Sequence, residues 1–288
     1  MPLGDRQEND LVHITLDVWQ DKVYYLGKEY PAGYFAAGVL NVSHNLFVTI
    51  TGEGGFLLDA YAIAKFGDRE QLEELLPVLW ESVENMLRSL RQVPPFSLWN
   101  MEAELGKMRA MLSKDHIDQL LDNPEEKMWF LAYLRAGILL PISIYHFVIA
   151  AWHLETYYLH RLGKRDETHF AVAFHDFYHD PSTKEVLEKM FAPTIEPFDA
   201  NPRLRSSYTF ARDPKDEKKM IFVNRVFFSS YMDFYVYDLL NGMHWGHAPS
   251  LCECCLKYFL TTDSHKPKYC DGMAPQNPHY TCRQYGAM

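Results

Sequence analysis

The stretch that decides how this chain ends is Cys252-Glu-Cys-Cys255-Leu-Lys-Tyr-Phe259, which opens a cysteine-rich terminus. The 288 residues contain five cysteines, and all five lie in the last 37 residues, at positions 252, 254, 255, 270 and 282. Cysteines that serve as ordinary small core residues would be scattered along the chain. A Cys-x-x-Cys pair followed by two single cysteines is instead typical of a four-thiolate metal site.

Zinc is the metal that this pattern favours. Zn²⁺ prefers four soft ligands in a tetrahedron, and a two-residue gap lets both thiolates of one turn point at a single ion. Thiolate sets also suit iron–sulfur clusters, but the spacing is less typical of those. We predict a structural zinc site with Cys254 left outside the shell, because a pair formed with Cys254 would be too tight. The predicted ligands are Cys252, Cys255, Cys270 and Cys282. Nearby histidines that could replace one cysteine are His244, His247, His265 and His279.

A disulfide module and unliganded reduced thiols are the alternatives. The odd number of cysteines argues against complete disulfide pairing. The N-terminal sequence MPLGDRQEND is polar and acidic, without the apolar segment of a secretion signal. We therefore expect a cytoplasmic protein with reduced cysteines.

The terminal residues resemble a known family. The run Cys252–Phe259 fits CxxCxxxF, and it is followed by a Ser-containing turn at 261–264, by Lys268-Tyr-Cys270 and by Thr281-Cys-Arg283. This pattern resembles the C-terminal zinc module of an uncharacterised bacterial and phage domain family. That module is in turn similar to the CGNR-type treble-clef zinc finger of stress-response regulators. An apolar helix predicted at 228–241 and the stretch VYYLGKEYPAGYF at 23–35 also fit the family.

The resemblance implies a regulator or adaptor whose zinc module contacts nucleic acid. Two features depart from the CGNR pattern. Arg283-Gln-Tyr-Gly286 stands where CGNR proteins carry Gly-Asn-Arg. A treble clef normally continues into a helix after its last ligand, whereas six residues follow Cys282 here, so we expect that helix to be absent or cut off.

The charge balance lowers the expectation of a nucleic-acid partner. The formal net charge is −10, and residues 249–288 hold four Lys and Arg against three Asp and Glu. Nucleic-acid binders usually show a basic field, because neutralising phosphates drives their affinity. The acidic balance favours a protein partner, and the two partner classes stay open. The cations of the module that could still contact a phosphate backbone are Lys257, Lys266, Lys268 and Arg283.

Hydrophobic patterning divides the chain into three predicted segments. Residues 1–56 form a β-rich segment packed on the body, with strands at 12–18 and 46–50, a hairpin over 22–31 and a glycine turn at 52–55. Residues 57–243 form a mainly helical body, and residues 244–288 form the zinc-binding module. In the body, helices are predicted at 70–90, 99–112, 114–121 and 125–162, and a second hairpin joins Ser207–Ala211 to Met220–Val223.

One body helix contains the uncharged stretch Ala136–Trp152, which at 17 residues is at the lower limit for a membrane span. Pro141 and His146 lie inside it. We predict a buried core helix and no membrane span.

Histidines of the body give the one alternative site. His175 and His179 are four residues apart, so they share a face if that segment is helical, and His153 and His160 could approach from the neighbouring helix. A metal-dependent enzyme is the alternative function that this group suggests. No glutamate stands where a metallohydrolase would need its base, and the neighbouring aromatic residues favour a packing helix instead.

The sequence thus predicts an α+β protein with a mainly helical body, small β-hairpins and a C-terminal treble-clef or ribbon-like zinc module. The predicted function is that of a zinc-stabilised intracellular binding or regulatory protein rather than an enzyme.

Overall fold

The computed structural model of the chain describes residues 9–113, 116–191, 198–199, 201–213, 215–262 and 267–288. Helices dominate it, beside one five-stranded antiparallel sheet and two short hairpins, so the predicted α+β class is confirmed. The helices are α1 Tyr34–Val39, α2 His44–Phe66, α3 Arg69–Leu90, α4 Met101–Met111, α5 Ile117–Asp122, α6 Pro124–Leu154, α7 Glu167–His179, α8 Pro181–Phe191, α9 Tyr231–His244 and α10 Cys282–Gly286.

The large sheet joins distant parts of the chain. Its strands are β1 Ile14–Trp19, β2 Lys22–Tyr25, β3 Lys28–Pro31, β4 Leu204–Asp213 and β5 Asp216–Phe228, and their order across the sheet is β3-β2-β1-β5-β4.

Pairing between β1 and β5 fixes the centre of the sheet. Leu16 lies opposite Val226, and both are fully buried. Next to them, the buried Asp17 carboxylate accepts two hydrogen bonds from the Arg225 guanidinium, at 2.7 and 2.9 Å. A buried charge is tolerable when its partner is bidentate, as here.

Two helices, α2 and α6, make the main contacts of the helical layer, and α9 joins this layer to the sheet. α2 packs against both α3 and α6, while α9 contacts α1, α6 and β5. Phe147 of α6 and Tyr235 of α9 are fully buried and stack with ring centroids 5.1 Å apart. Ser230 caps α9 by accepting from the backbone N–H of Met232 and, at a longer distance, of Asp233.

The backbone of α9 lies very close to the backbone of the turn before α1. A Cβ on Gly242 would lie 2.8 Å from the Cα of Gly33, so neither backbone could come this near with a larger residue at 242. The fully buried Asp238 carboxylate accepts hydrogen bonds from the backbone N–H groups of Gly33 and Ala36 at 3.0 and 2.9 Å. Burial raises the pKa of Asp238 to about 6, although these N–H donors act to lower it.

Two predictions for the N-terminal segment were wrong. The run 46–50 is helical and not a strand, and 52–55 lies inside the same helix, α2, instead of forming a turn. Ser43 caps that helix by accepting from the Leu46 N–H at 3.3 Å. Leu46, Phe47 and Ile50 then fall on the face that packs into the core, and this burial outweighs the strand preference of β-branched residues.

Most other local predictions hold. The hairpins at 22–31 and 204–228 form, and α3 matches the helix predicted at 70–90. α6 ends at Leu154, and a π-helical turn, Glu155–Leu159, replaces the rest of the predicted long helix. The stretch Ala136–Trp152 is a core helix with most of its residues buried. α8 was not predicted, and Lys114 of the predicted helix at 114–121 lies outside the described residues.

Two described helices are long and apolar enough to cross a bilayer by length and composition alone, His44–Phe66 and Pro124–Leu159. In the most apolar part of the second, 67% of the residues are buried inside the protein, against 29% in the first. Core helices pass the same criterion, so this is weak evidence for a membrane span.

Candidate metal centre

The first cysteine pair lies in the turn between β6 Ala248–Leu251 and β7 Tyr258–Thr261. Inside the turn, the Cys252 N–H donates to the Lys257 carbonyl at 2.9 Å, and the Leu256 N–H donates to the Cys252 carbonyl at 3.0 Å. Leu256 closes the turn with a φ of +57°, a left-handed conformation that ordinary residues rarely adopt. This tight turn aims the sulfurs of Cys252 and Cys255 at one point.

The second pair comes from either side of a short hairpin, β8 Met273–Ala274 with β9 Asn277–Thr281. Cys270 precedes the hairpin and Cys282 is the first residue of α10. The Cys282 N–H donates to the Gly272 carbonyl at 2.7 Å, which draws the two ends of the hairpin together.

A short closing helix follows the last cysteine. Thr281 and Gln284 form a capping box at the start of α10. The expectation that this helix would be absent is therefore wrong: six residues after Cys282 are enough for about one helical turn.

The four cysteines that are predicted as ligands lie close together in the structure. Their Sγ atoms all lie within 4.8 Å of one another, with Cys252 and Cys282 fully buried. The Sγ atoms of Cys255 and Cys270 are 3.7 Å apart, far longer than the S–S bond of a disulfide. Four sulfurs at a zinc–sulfur distance of about 2.3 Å in a tetrahedron would be about 3.8 Å apart. The spacing thus fits four ligands around one ion.

The electrostatics of the cluster differ from thiol to thiol. Burial acts to raise the pKa of Cys252, but the backbone N–H groups of Cys255, Cys270 and Cys254 outweigh it and lower that pKa to about 7. Burial also raises the pKa values of Cys270 and Cys282. The thiols of Cys252 and Cys255 add to the rise in both, although the Cys282 thiol acts to lower the pKa of Cys270. Several thiolates this close repel one another, so a cation is needed to hold them all deprotonated.

Cys254 lies outside the cluster. Its Sγ donates to Gln276 Oε1 at 3.4 Å, and the Gln276 side-chain amide donates back to the Cys254 carbonyl, also at 3.4 Å. This pairing ties the first turn to the β8–β9 hairpin.

Alternative histidine ligands are placed elsewhere. His244 Nδ1 lies 2.7 Å from Glu167 Oε1, and His247 Nδ1 lies 3.0 Å from the Ala32 carbonyl oxygen. His279 is exposed on β9 and does not belong to the cluster, and His265 lies outside the described residues.

The cysteine module is docked firmly on the body. Asn41 makes two hydrogen bonds with the backbone of Tyr258, accepting from its N–H at 2.7 Å and donating to its carbonyl at 2.8 Å. Arg165, which is 1% exposed, donates to the Pro249 carbonyl at 2.9 Å. β6 and β7 are therefore held from both edges by residues of the body.

The four histidines of the alternative site do not gather. His175 and His179 stack on α7 with ring centroids 4.3 Å apart. His153 Nε2 lies 3.2 Å from Thr183 Oγ1, and His160 Nδ1 lies 3.8 Å from a Glu155 carboxylate oxygen. Within the described part of the chain, the cysteine cluster is the group of potential ligands close enough to share an ion.

Three of the four cations predicted to contact a phosphate backbone lie in the described residues. Lys257 and Lys268 are exposed, and Arg283 Nε lies 3.2 Å from Asp271 Oδ1. Lys266 lies outside the described residues.

One comparison with known proteins finds a match in the C-terminal third of the chain. Residues 199–288 match a family of unknown function, DUF6076. No curated protein and no solved structure matches the chain. The matched segment contains β4, β5, α9 and the cysteine module, and its sheet is completed by β1 from outside the match.

Proposed function

We propose that Cys252, Cys255, Cys270 and Cys282 bind one zinc ion with a structural role in a binding protein of regulatory type. The observation that carries this proposal is the closed set of four sulfurs within 4.8 Å of one another. With four protein ligands, zinc has no position left for a water or a substrate, so it would stabilise the fold rather than catalyse a reaction.

Two further observations support a treble-clef arrangement of the module. A ligand-bearing turn between β6 and β7 comes first, the β8–β9 hairpin follows, and the last cysteine opens α10. The Glu253 N–H also donates to the Lys268 carbonyl at 2.9 Å, which joins the halves that carry the two ligand pairs.

Metal content measured by mass spectrometry tests the zinc proposal. The wild-type protein and Cys254→Ser are each expected to hold one zinc per chain, and Cys270→Ser is expected to lose it. Iron in place of zinc, or zinc that survives in Cys270→Ser at wild-type level, would overturn the proposal. A second metal ion that remains bound in Cys270→Ser would instead favour an enzyme in the helical body.

For the partner of the module we propose a protein. The exposed side chains of the module include Leu256, Met273, Tyr280 and Tyr285, which suit an apolar contact. Arg283 is already paired with Asp271. Among the described residues of the module, the other cations are Lys257 and Lys268, and two cations offer little charge for a phosphate backbone.

Charge reversal tests this choice of partner. The double variant Lys257→Glu/Lys268→Glu should leave any nucleic-acid affinity of the full chain within about twofold of wild type, as read by fluorescence anisotropy. A loss of more than about tenfold, together with a smaller dependence on salt, would assign the module to nucleic acid instead.

A further inference from the structure

The hairpin of β4 and β5 extends well past the body. β1 pairs with β5 from Asn224 to Phe228, whereas the pairing of β4 with β5 continues out to Asp213 and Asp216. The outer part is therefore a two-stranded ribbon at the edge of the sheet. One face of this ribbon is covered, because Ala211 and Val223 are buried in a small cluster with Tyr24.

The opposite face of the ribbon carries exposed aromatic rings. Tyr208 is 81% exposed, Phe210 is 60% exposed and Phe222 is 77% exposed. Phe210 lies directly opposite Phe222, and Tyr208 is two residues further along the same strand, so the three rings share one face. Met220, also exposed, continues this face toward the hairpin tip. We call these four residues the aromatic face.

The charge of the hairpin is opposite to that of the rest of the chain. Residues 203–225 contain seven Lys and Arg against three Asp and Glu, while the remaining chain contains 21 against 35. Arg212 lies opposite Met220 and is exposed beside the rings, and Lys218 and Lys219 are exposed near the tip. Arg225 is paired with Asp17, and Lys219 Nζ lies 3.5 Å from Asp216 Oδ2. Beyond these pairs, the exposed cations of the outer hairpin are Arg212, Lys215 and Lys218, so the hairpin is locally positive in an acidic protein.

We propose that the aromatic face binds single-stranded nucleic acid. Unpaired bases stack on exposed aromatic rings with little dependence on sequence, while cations alongside follow the phosphates. In a duplex the faces of the bases are covered by their neighbours, so the rings would gain nothing from it. The exposed cations Arg212, Lys215 and Lys218 of the outer hairpin favour an anionic partner over a purely apolar protein contact. This site lies on different residues from the cysteine cluster and does not rest on the zinc proposal.

Fluorescence anisotropy with a labelled twelve-nucleotide oligo-dT and a matched duplex tests this proposal on the full chain. Wild type is expected to bind the single strand more tightly than the duplex. Its affinity should fall with salt at a logarithmic slope of about −2, as for three neutralised phosphates.

The decisive variant is Phe210→Thr/Phe222→Thr, which keeps residues of good strand propensity at two exposed positions. It is expected to weaken single-strand binding at least about tenfold by removing two stacking rings. The matched control is Phe66→Thr, which removes a ring that is 79% exposed at the end of α2 and should leave binding unchanged. Unchanged circular dichroism and thermal unfolding would show that the variants remain folded.

Three results would overturn the proposal. They are undetectable binding of the single strand at low salt, equal affinity for the duplex, and wild-type affinity in the hairpin variant. Light scattering supplies a fourth: a wild-type dimer that becomes a monomer in Phe210→Thr/Phe222→Thr would make this face an interface between two copies. Binding that persists after zinc is removed separates the hairpin site from the module.

Discussion

The helical body and the cysteine module are stabilised by different interactions. The body is built on one continuous apolar core that runs from β1 through α2, α3 and α6 to α9. Within the described residues, the module's own buried cluster consists of Cys252, Ala274 and Cys282, while Ala248 of β6 belongs to the core of the body. About 40 residues cannot bury enough apolar surface to fold alone, and a metal or disulfides usually make up the deficit. With the proposed zinc bound, the long body would be stabilised by apolar burial and the short module by ligand chemistry.

Removing the metal should produce the largest effect and should separate the two regions. Zinc sites in small modules contribute on the order of 10 kcal/mol to folding. After chelation we expect backbone amides at 250–288 to lose protection from hydrogen exchange while those of α6 and α9 keep it. If amides across both regions lose protection together, the module and the body form one cooperative unit and the comparison fails.

A truncation in the core should destabilise the body and leave zinc binding by the module intact. Phe147→Ala removes a fully buried ring that stacks on Tyr235. It is expected to lower the free energy of unfolding of the body by about 3–5 kcal/mol. Urea denaturation followed by tryptophan fluorescence measures this loss. The zinc content of the folded variant should remain at one per chain, and its loss would show that the module depends on the core more than on its ligands.

The two regions differ in which local features allow their structure to be predicted from the sequence. The cluster of Cys252, Cys255, Cys270 and Cys282 was predictable from the sequence, because a shared metal ion would restrict residue type and spacing locally. α3 was predictable because its apolar residues recur at helical intervals on one face.

The beginning of α2 was not predictable in this way. Its run 46–50 has the composition of a strand, and tertiary packing of Phe47 against Tyr145 of α6 decided the outcome. The sequence predicts that Tyr208, Phe210 and Phe222 lie in strands. Their exposure depends on where β1 stops pairing, which only the assembled sheet reveals.

The body also contains a buried carboxylate that should make its stability depend on pH. The raised pKa of Asp238, about 6 against an ordinary 3.8, means that the folded state binds more protons than the unfolded state between these values. Stability therefore falls as pH rises through this window and then levels off. The full window corresponds to a loss on the order of 3 kcal/mol.

Comparison with Asp238→Asn isolates this effect, because the amide does not titrate. Unfolding in urea at pH 4, 5, 6 and 7 should show the wild type losing stability relative to the variant as pH increases. A constant difference between the two proteins across that range would contradict the assignment.

The smallest expected effect concerns backbone strain in the ligand turn. Leu256 adopts a φ of +57° with its side chain 72% exposed, so Leu256→Gly removes strain without removing packing. Zinc retention against a competing chelator should improve by up to about 1 kcal/mol, or roughly fivefold. Leu26→Gly is the matched control, because Leu26 has a φ of +49° in a hairpin turn of the body. Leu26→Gly should leave zinc retention unchanged. An equal gain in Leu26→Gly would mean that the two turns are not independent.

The pairing of β1 with β5 has a consequence for how the protein is made. Asp17 and Arg225, joined by their bidentate salt bridge, are 208 residues apart in sequence. During synthesis the edge of β1 that pairs with β5 therefore stays unpaired until almost the whole helical body has left the ribosome. Contacts of such long range also close slowly once the chain is free. An open strand edge is a site for pairing with the wrong chain. Nascent β1–β3 is thus the part of this protein that we expect a chaperone to protect, until β5 arrives.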